Sequence, residues 1–388
     1  MEMKKPVPDN RRRSPFPAQK DIAEALNISQ ATVALALNPK QQHRLLPETV
    51  ALVQAKAKEM GYKVHHFART LRRGRSYTMG VLFRTSYYHA NRERIRYLVQ
   101  EAVERGYQLI AVDPEWFSGN LGKAFEYLLS YAVEGIILCD VTPHTPPDAG
   151  EIGDWLSILR QRNIPLLSLG TTTFVLEQAS VRADLALAYR QLTEHHLAQG
   201  SRRLMLLLPS REREFIHDDP GLSVLLRVQG FREAIQAAGG HLLEPLSHNR
   251  IPSLPKRKGI VGAILAPEKT NAFSNTFEMG EYIATQMIET GTLPDSILCS
   301  NDEVATGVIN ACYRRGVPIP RKIRVSGTDN SPLASVCIVP ITSVEQPNLD
   351  LAKLSIQRLI KLIEDPSSEE SAEPCQLPCR LVVRASTC

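Results

Sequence analysis

QKDIAEALNISQATVALALN, residues 19–38, reads as two short helices joined by a tight turn. Ile22, Ala23 and Leu26 share one face of the first helix, and Val33, Ala36 and Leu37 recur at helical spacing in the second. Between them Asn27 tolerates the left-handed backbone that ends a helix, Ile28 is an apolar plug, and Ser29 offers its hydroxyl oxygen as an N-cap. This is the pattern of a helix-turn-helix, whose second helix enters the major groove of DNA. The same spacing also suits an ordinary amphipathic helix pair, so the surrounding chain must decide.

On the C-terminal side, Pro47 opens a third helix at a first-turn position where its missing N–H costs nothing, and Gly61 stops it. Val50, Val53, Ala57 and Met60 give this helix one apolar stripe. Residues 18–61 therefore form a three-helix head, preceded by a basic tail, 1–17, that is expected to be disordered. Residues 62–76 follow as a hinge, YKVHHFARTLRRGRS, with four arginines around Phe67, Ala68 and Leu71. Up to Ser76 fifteen Lys and Arg face six Asp and Glu, a balance of +9; with +5 for the whole chain, −4 remains for the rest. A basic head on a mildly acidic body points to a polyanion met by the head alone, and a flexible basic linker is the competing reading of the hinge.

From Thr78 the texture changes to alternating strands and helices. TMGVLF (78–83), YQLIAVD (107–113), EGIILCD (134–140) and PLLSLG (165–170) are apolar runs separated by helical stretches. A second series follows with RLMLLLP (203–209), GIVGAIL (259–265), SILCS (296–300) and IRVSGTD (323–329), and CRLVVRA (379–385) closes the chain as a strand. Such repetition predicts two doubly wound α/β lobes with a ligand crevice at the carboxyl ends of their strands. Lobe one is expected over about 77–184 and 347–374, and lobe two over about 185–346 and 375–388, so that 77–388 is one effector-binding and dimerisation domain.

Over nearly the whole chain from Ala18 these residues resemble the LacI/GalR family of bacterial transcription regulators. The matching pieces are KDIAEALNIS-ATV, LPETVALVQAKAKEMGY, ARTL, MGVLF, VEGIIL, NIPLLSLG, AQGSRRLMLL, RVQGFREAIQAAG, CSNDEVATGVINACYRRGVPIPRKIRVSGTDN, PITSVEQP and LVVRAS. The resemblance implies an α + α/β protein: a three-helix helix-turn-helix head, a hinge helix and a two-lobed, doubly wound sensor domain like a periplasmic binding protein. It implies a DNA-binding repressor acting as a homodimer on a palindromic double-stranded operator, controlled by a small-molecule effector, a sugar or sugar derivative. The runner-up is a soluble sugar-binding protein of the periplasmic type with no DNA function, for which the basic head has no use.

Carried over by position, Gln30 and Ala31 open the recognition helix and Leu35 is its later base-facing residue, while Thr32 and Asn38 contact phosphates or hold the unit together. Leu71 matches the leucine that wedges into the minor groove, with Ala68 and Arg69 in the same hinge helix. In the crevice Arg227 matches an arginine that grips effector oxygens, and Asn301 and Asp329 match positions that hold sugar hydroxyls. Asp302 is expected to cap the helix from Glu303, and Asp184 to fix a crossover between lobes.

The sequence also departs from the family pattern. Ala18 lacks the usual cap hydroxyl, Ala34 replaces a serine, and Ser201 stands in for a histidine. Ala31 and Leu35 offer only apolar contact to bases, leaving Gln30 as the one hydrogen-bonding base reader. Arg84 and Tyr88 follow the first core strand as further candidate effector contacts; a crevice-facing Arg84 favours an anionic effector, and an internal pair with Asp140 or another acid is the alternative. There is no Gly-rich phosphate loop, no Gly-x-Ser-x-Gly and no metal-spaced His/Cys set, so neither catalysis, cofactor nor metal is expected. The scattered cysteines suit reduced thiols, and the absence of an apolar N-terminal run or bilayer-length segment places the protein in the bacterial cytoplasm, with the nucleoid when on its operator.

Overall fold

The computed structural model describes residues 17–38, 41–62, 75–83, 89–118, 120–141, 148–170, 179–208, 222–243, 254, 259–265, 276–368 and 373–388. The chain divides into two compact units, Met1–Ser76 and Tyr77–Cys388.

In the first unit, α1 (Gln19–Leu26), α2 (Gln30–Ala36) and α3 (Pro47–Glu59) enclose Ile22, Ala23, Val33, Ala36, Val50, Val53 and Ala57. Leu26, Ile28, Leu37 and Met60 pack against that core. Asn27 ends α1 in the left-handed region at φ 52°, and the Ile28 N–H returns to the Ala23 carbonyl. Ser29 caps α2 by accepting from the Thr32 N–H at 3.0 Å. Ala18 has no side-chain oxygen to offer α1. The Asp21 carboxylate instead accepts from the Ala18 N–H at 2.6 Å, half of a capping box.

The second unit holds two sheets. Six strands make the first: β1 (Thr78–Phe83), β2 (Gln108–Val112), β3 (Gly135–Cys139), β4 (Leu166–Leu169), β5 (Ala179–Ala183) and β12 (Cys375–Leu377), in the order β12-β5-β4-β3-β1-β2. The second contains β6 (Arg203–Leu207), β7 (His241–Leu242), β8 (Val261–Leu265), β9 (Ser296–Cys299), β10 (Arg324–Thr328), β11 (Thr342–Glu345) and β13 (Arg380–Val382). Its order is β13-β11-β10-β9-β6-β8-β7, and only β13 runs antiparallel. Strands such as β1 and β3 are buried along their whole length because helices cover both faces, which is why they read as unbroken apolar runs.

Three helices of the first lobe matter here: α4 (His89–Glu104), α5 (Leu121–Ser130) and α6 (Asp148–Gln161). The second lobe adds α7 (Leu185–Ala198), α8 (Leu222–Ala237), α9 (Thr276–Glu289), α10 (Asp302–Arg314) and the short α11 (Pro332–Val336). The long α12 (Asn348–Glu364) returns to the first lobe, burying Leu351, Ile356 and Leu359 with Val81, Ile137 and Leu167. In lobe two, α9 and α10 touch backbone to backbone. A Cβ added at Gly280 would lie 2.2 Å from the Val304 carbonyl oxygen, and one at Gly307 2.1 Å from that of Phe277.

Among the described residues the chain thus passes between lobes three times: after β5, after β11, and between β12 and β13. The last passage corrects the expected boundary. Cys375–Leu377 pairs with Val181–Ala183 of the first sheet, so residues 375–388 are shared between lobes and join the second only at Arg380. At the first passage Asp184 caps α7, accepting from the Leu187 N–H at 3.0 Å, and its own N–H donates to the Leu377 carbonyl.

Candidate functional site

In the head, the α2 face that carries Gln30 and Ala31 is exposed, and Thr32, Leu35 and Asn38 are half-buried. The Thr32 hydroxyl lies 2.8 Å from the Ser29 hydroxyl, so this side chain serves the cap at the start of the helix. The only long polar side chain among the three base-facing positions is Gln30. Ala68, Arg69 and Leu71 of the hinge lie outside the described residues, as do Arg84 and Tyr88.

In the body, the polar groups gather at the carboxyl ends of the parallel strands. From lobe two, Asn301 follows β9 and caps α10, its Oδ1 accepting from the Val304 N–H at 2.8 Å. The cap is therefore Asn301 and not Asp302 as expected; Asn301 takes the extended backbone (φ −152°, ψ 171°) of an N-cap, which makes Asp302 the first helical residue. Asn301 is 2 % exposed, and its Nδ2 has no hydrogen-bond partner among the described residues. A buried amide left in that state is costly.

Asp302 turns back toward the sheet. Its carboxyl accepts from the Ser343 hydroxyl at 2.6 Å and the Ser331 N–H at 2.7 Å, and it packs so close to Gly327 that a Cβ there would come within 2.2 Å. Burial, and then repulsion from Asp329, raises its pKa from 3.8 to about 7. Asp302 is thus a tie between the ends of neighbouring elements of the second sheet.

Arg227 projects from α8 with its guanidinium 5.6 Å from the centre of the Tyr189 ring, and it donates to the Ser223 hydroxyl. Tyr189, fully buried on α7, hydrogen-bonds Thr328 at 2.8 Å and donates to the Cys299 carbonyl at 3.3 Å. Those partners immediately precede Asp329 and Ser300–Asn301, so one aromatic ring ties the arginine to the ends of both β9 and β10. Arg227, Asn301 and Asp329, singled out separately in the sequence, stand on adjoining elements of one lobe.

Lobe one contributes a group the sequence reading passed over. Arg94 on α4 is 4 % exposed and donates to Asp140, which follows β3. The carboxylate lies over Gly170 at the end of β4, where φ is 87° and a Cβ would fall 2.1 Å from Asp140 Oδ1. Arg94 also donates through Nε to Asn348, the first residue of α12, at 2.9 Å and through Nη2 to Gln346 in the crossover from β11. Burial, the largest influence, works against its charge; Asp140, Cys139, Asp329 and Cys379 together outweigh it and raise the pKa. A signal for Arg94 was present: Arg94, Leu98 and Ala102 fall four apart on one face of α4, and all three are buried. An arginine on an apolar stripe demands a partner.

Ser201, the departure from the family histidine, bonds Ser296 at 2.6 Å. Ser296 in turn meets His196 Nδ1 at 2.8 Å, and His196 Nε2 meets Ser326 at 2.9 Å. Burial and the nearby His195 and Arg324 lower the His196 pKa from 6.5 to about 3, so the ring is neutral and structural.

A family model described as a periplasmic binding protein-like domain matches residues 193–387. The ribose operon repressor of Escherichia coli (strain K12) is 24 % identical over 352 residues, covering 90 % of this chain and 94 % of the relative. The HTH-type transcriptional repressor CytR of the same strain is 23 % identical over 371 residues, 95 % of each chain. Among solved structures, a lac repressor dimer bound to operator and the anti-inducer ONPF superposes with a TM-score of 0.73 at 21 % identity, over 96 % of this chain and 99 % of that one. The chain belongs to the periplasmic-binding-protein-like family, in the form found in LacI/GalR regulators, with a helix-turn-helix head preceding a two-lobed α/β body.

Proposed function

We propose that this protein is a transcriptional repressor that binds a palindromic operator as a homodimer and releases or tightens it when a carbohydrate occupies the crevice. The observation that carries the reading is the placement of Asn301 and Asp329 after β9 and β10, with Arg227 linked to both strand ends through Tyr189, in a body that follows an exposed recognition helix in the same chain. An arginine fork, an unsatisfied buried amide and a carboxylate are what a polyhydroxylated ligand needs. The carboxylates of Asp140 and Asp329 balance the cations of Arg94 and Arg227, which favours a neutral sugar over an anionic one. Exposed Val336, Tyr313 and Ile338, on and around α10 and α11, supply apolar surface suited to a dimer. No helix among the described residues is long and apolar enough to cross a membrane, in keeping with a protein that works on DNA in the cytoplasm.

One relative is named for the ribose operon, so a thermal-shift screen starts with D-ribose and other pentoses, then hexoses. A true effector raises the Tm of wild type and loses most of that shift in Arg227→Ala. A sugar that stabilises both equally removes Arg227 from the site. On DNA, binding to a palindromic site is strongly salt-dependent, and Leu71→Ala loses specific affinity while keeping non-specific affinity. Equal loss of both removes the hinge wedge.

A further inference from the structure

Arg94, Gln346 and Asp329 form a chain that runs from one lobe to the other. Arg94 stands on α4 of lobe one, Gln346 lies in the crossover between β11 and α12, and Asp329 follows β10 of lobe two. Arg94 Nη2 donates to Gln346 Oε1, and Gln346 Nε2 donates to Asp329 Oδ1 at 2.8 Å. The amide has one orientation here, because arginine can only donate and a carboxylate can only accept. Gln346 is 7 % exposed, so neither bond is readily exchanged for one to water.

We infer that Arg94 is a positioning residue for the effector site: through Gln346 it orients the Asp329 carboxylate, so that occupancy of lobe two is felt by lobe one. The inference deepens the proposed function and rests on Asp329 being an effector contact. Arg94 is held for this task from three sides. Asp140 fixes its charge and Asn348 its Nε, leaving Nη2 aimed at Gln346. The planar fork is essential, since a lysine ammonium has charge for Asp140 but no rigid set of donors for three separate acceptors. Cooperative polarisation along Asp140, Arg94, Gln346 and Asp329 strengthens each bond beyond its isolated value.

Arg94→Lys separates this role from a merely structural one, because it preserves the cation beside Asp140 and removes the fork. Hydrogen–deuterium exchange on the full-length, ligand-free protein reads the result. The Asp329 N–H donates to Val344 and the Asn330 N–H to the Ser343 hydroxyl, so both amides report on the loop that carries the carboxylate. Arg94→Lys, although made in lobe one, accelerates exchange at Asp329 and Asn330 about fivefold or more. Gln346→Leu gives the same acceleration, and the double variant adds nothing further. Unchanged exchange in Arg94→Lys overturns the inference, as does simple additivity in the double variant. With D-ribose as probe, or whichever sugar the screen identifies, the ratio of operator affinities with and without sugar falls toward one in both single variants. Because the exchange measurement needs no sugar, failure of every sugar to bind removes the effector reading and leaves the relay to be judged by exchange alone.

Discussion

The head exposes the side chains proposed to meet DNA, whereas the body buries those proposed to meet the effector. In the head, Gln30 and Ala31 are exposed on α2, while the residues that hold the helices, Ile22, Val33 and Val53, are fully buried behind them. In the body, Arg94, Arg227 and Asn301 are themselves buried, at 4 %, 7 % and 2 % exposure, and their bonds are part of what holds the lobes in shape. A surface that reads DNA can therefore change without touching stability, whereas a crevice that reads a small molecule cannot.

The strongest challenge to that contrast is Arg94→Met. It takes away the cation that faces Asp140 and leaves a carboxylate in a largely dry site, so urea unfolding of the body is expected to show a loss of about 3–5 kcal/mol. A loss below about 1 kcal/mol would show the pair to be solvated, and the body no different from the head.

Acid titration sharpens the comparison within the body. Folded His196 is neutral down to about pH 3, while the unfolded ring takes up a proton below 6.5, so its contribution to stability is lost as pH falls from 6.5 toward 3. Asp302 has the opposite sign. With its pKa raised to about 7, the folded carboxyl keeps a proton that the unfolded one gives up above 3.8, and stability falls as pH rises through that window. The two effects oppose each other between about pH 4 and 6.5. In His196→Gln only the Asp302 effect remains, so the variant gains on wild type by up to about 1.4 kcal/mol for each pH unit below 6.5. Unfolding curves at pH 7, 6 and 5 for both proteins decide this, and a constant difference would refute it.

The smallest effects belong to the head. Ser29→Ala removes the cap bond to Thr32 and is expected to cost about 1 kcal/mol in head stability by thermal unfolding. Gln30→Ala, one residue away, leaves stability within about 0.5 kcal/mol and instead weakens specific operator binding by about 1–3 kcal/mol in an anisotropy titration.

Local chemistry decided which parts of this molecule could be read in advance. The helix-turn-helix was legible because its signals lie within a few residues: apolar spacing, a left-handed Asn27 and a capping Ser29. Strands buried on both faces were legible as apolar runs. What escaped depends on distance along the chain. Asn301 and Asp302 are both good N-caps, and only the end of β9 decides between them. The three-residue β12 owes its place to β5, nearly two hundred residues earlier, and carries no local pattern of its own. Arg94 signalled a buried charge, yet its partners at Asp140, Gln346 and Asn348 are up to 254 residues away. The site residues proposed in the crevice were reached through family resemblance, since no spacing in the sequence brings residues 227, 301 and 329 together.

The contact of α9 with α10 bears on how such a crevice transmits force. Where Gly280 and Gly307 meet their neighbours' backbones, there is no side chain whose rotamer can yield. Asn301, at the head of α10, is thus mounted on a lever without a joint, because α10 has no side chain between itself and the α9 backbone at these two contacts. The same geometry closes a door in evolution. Any other residue at either glycine forces the helices apart, so this part of the second lobe is free to vary its surface but not its spacing.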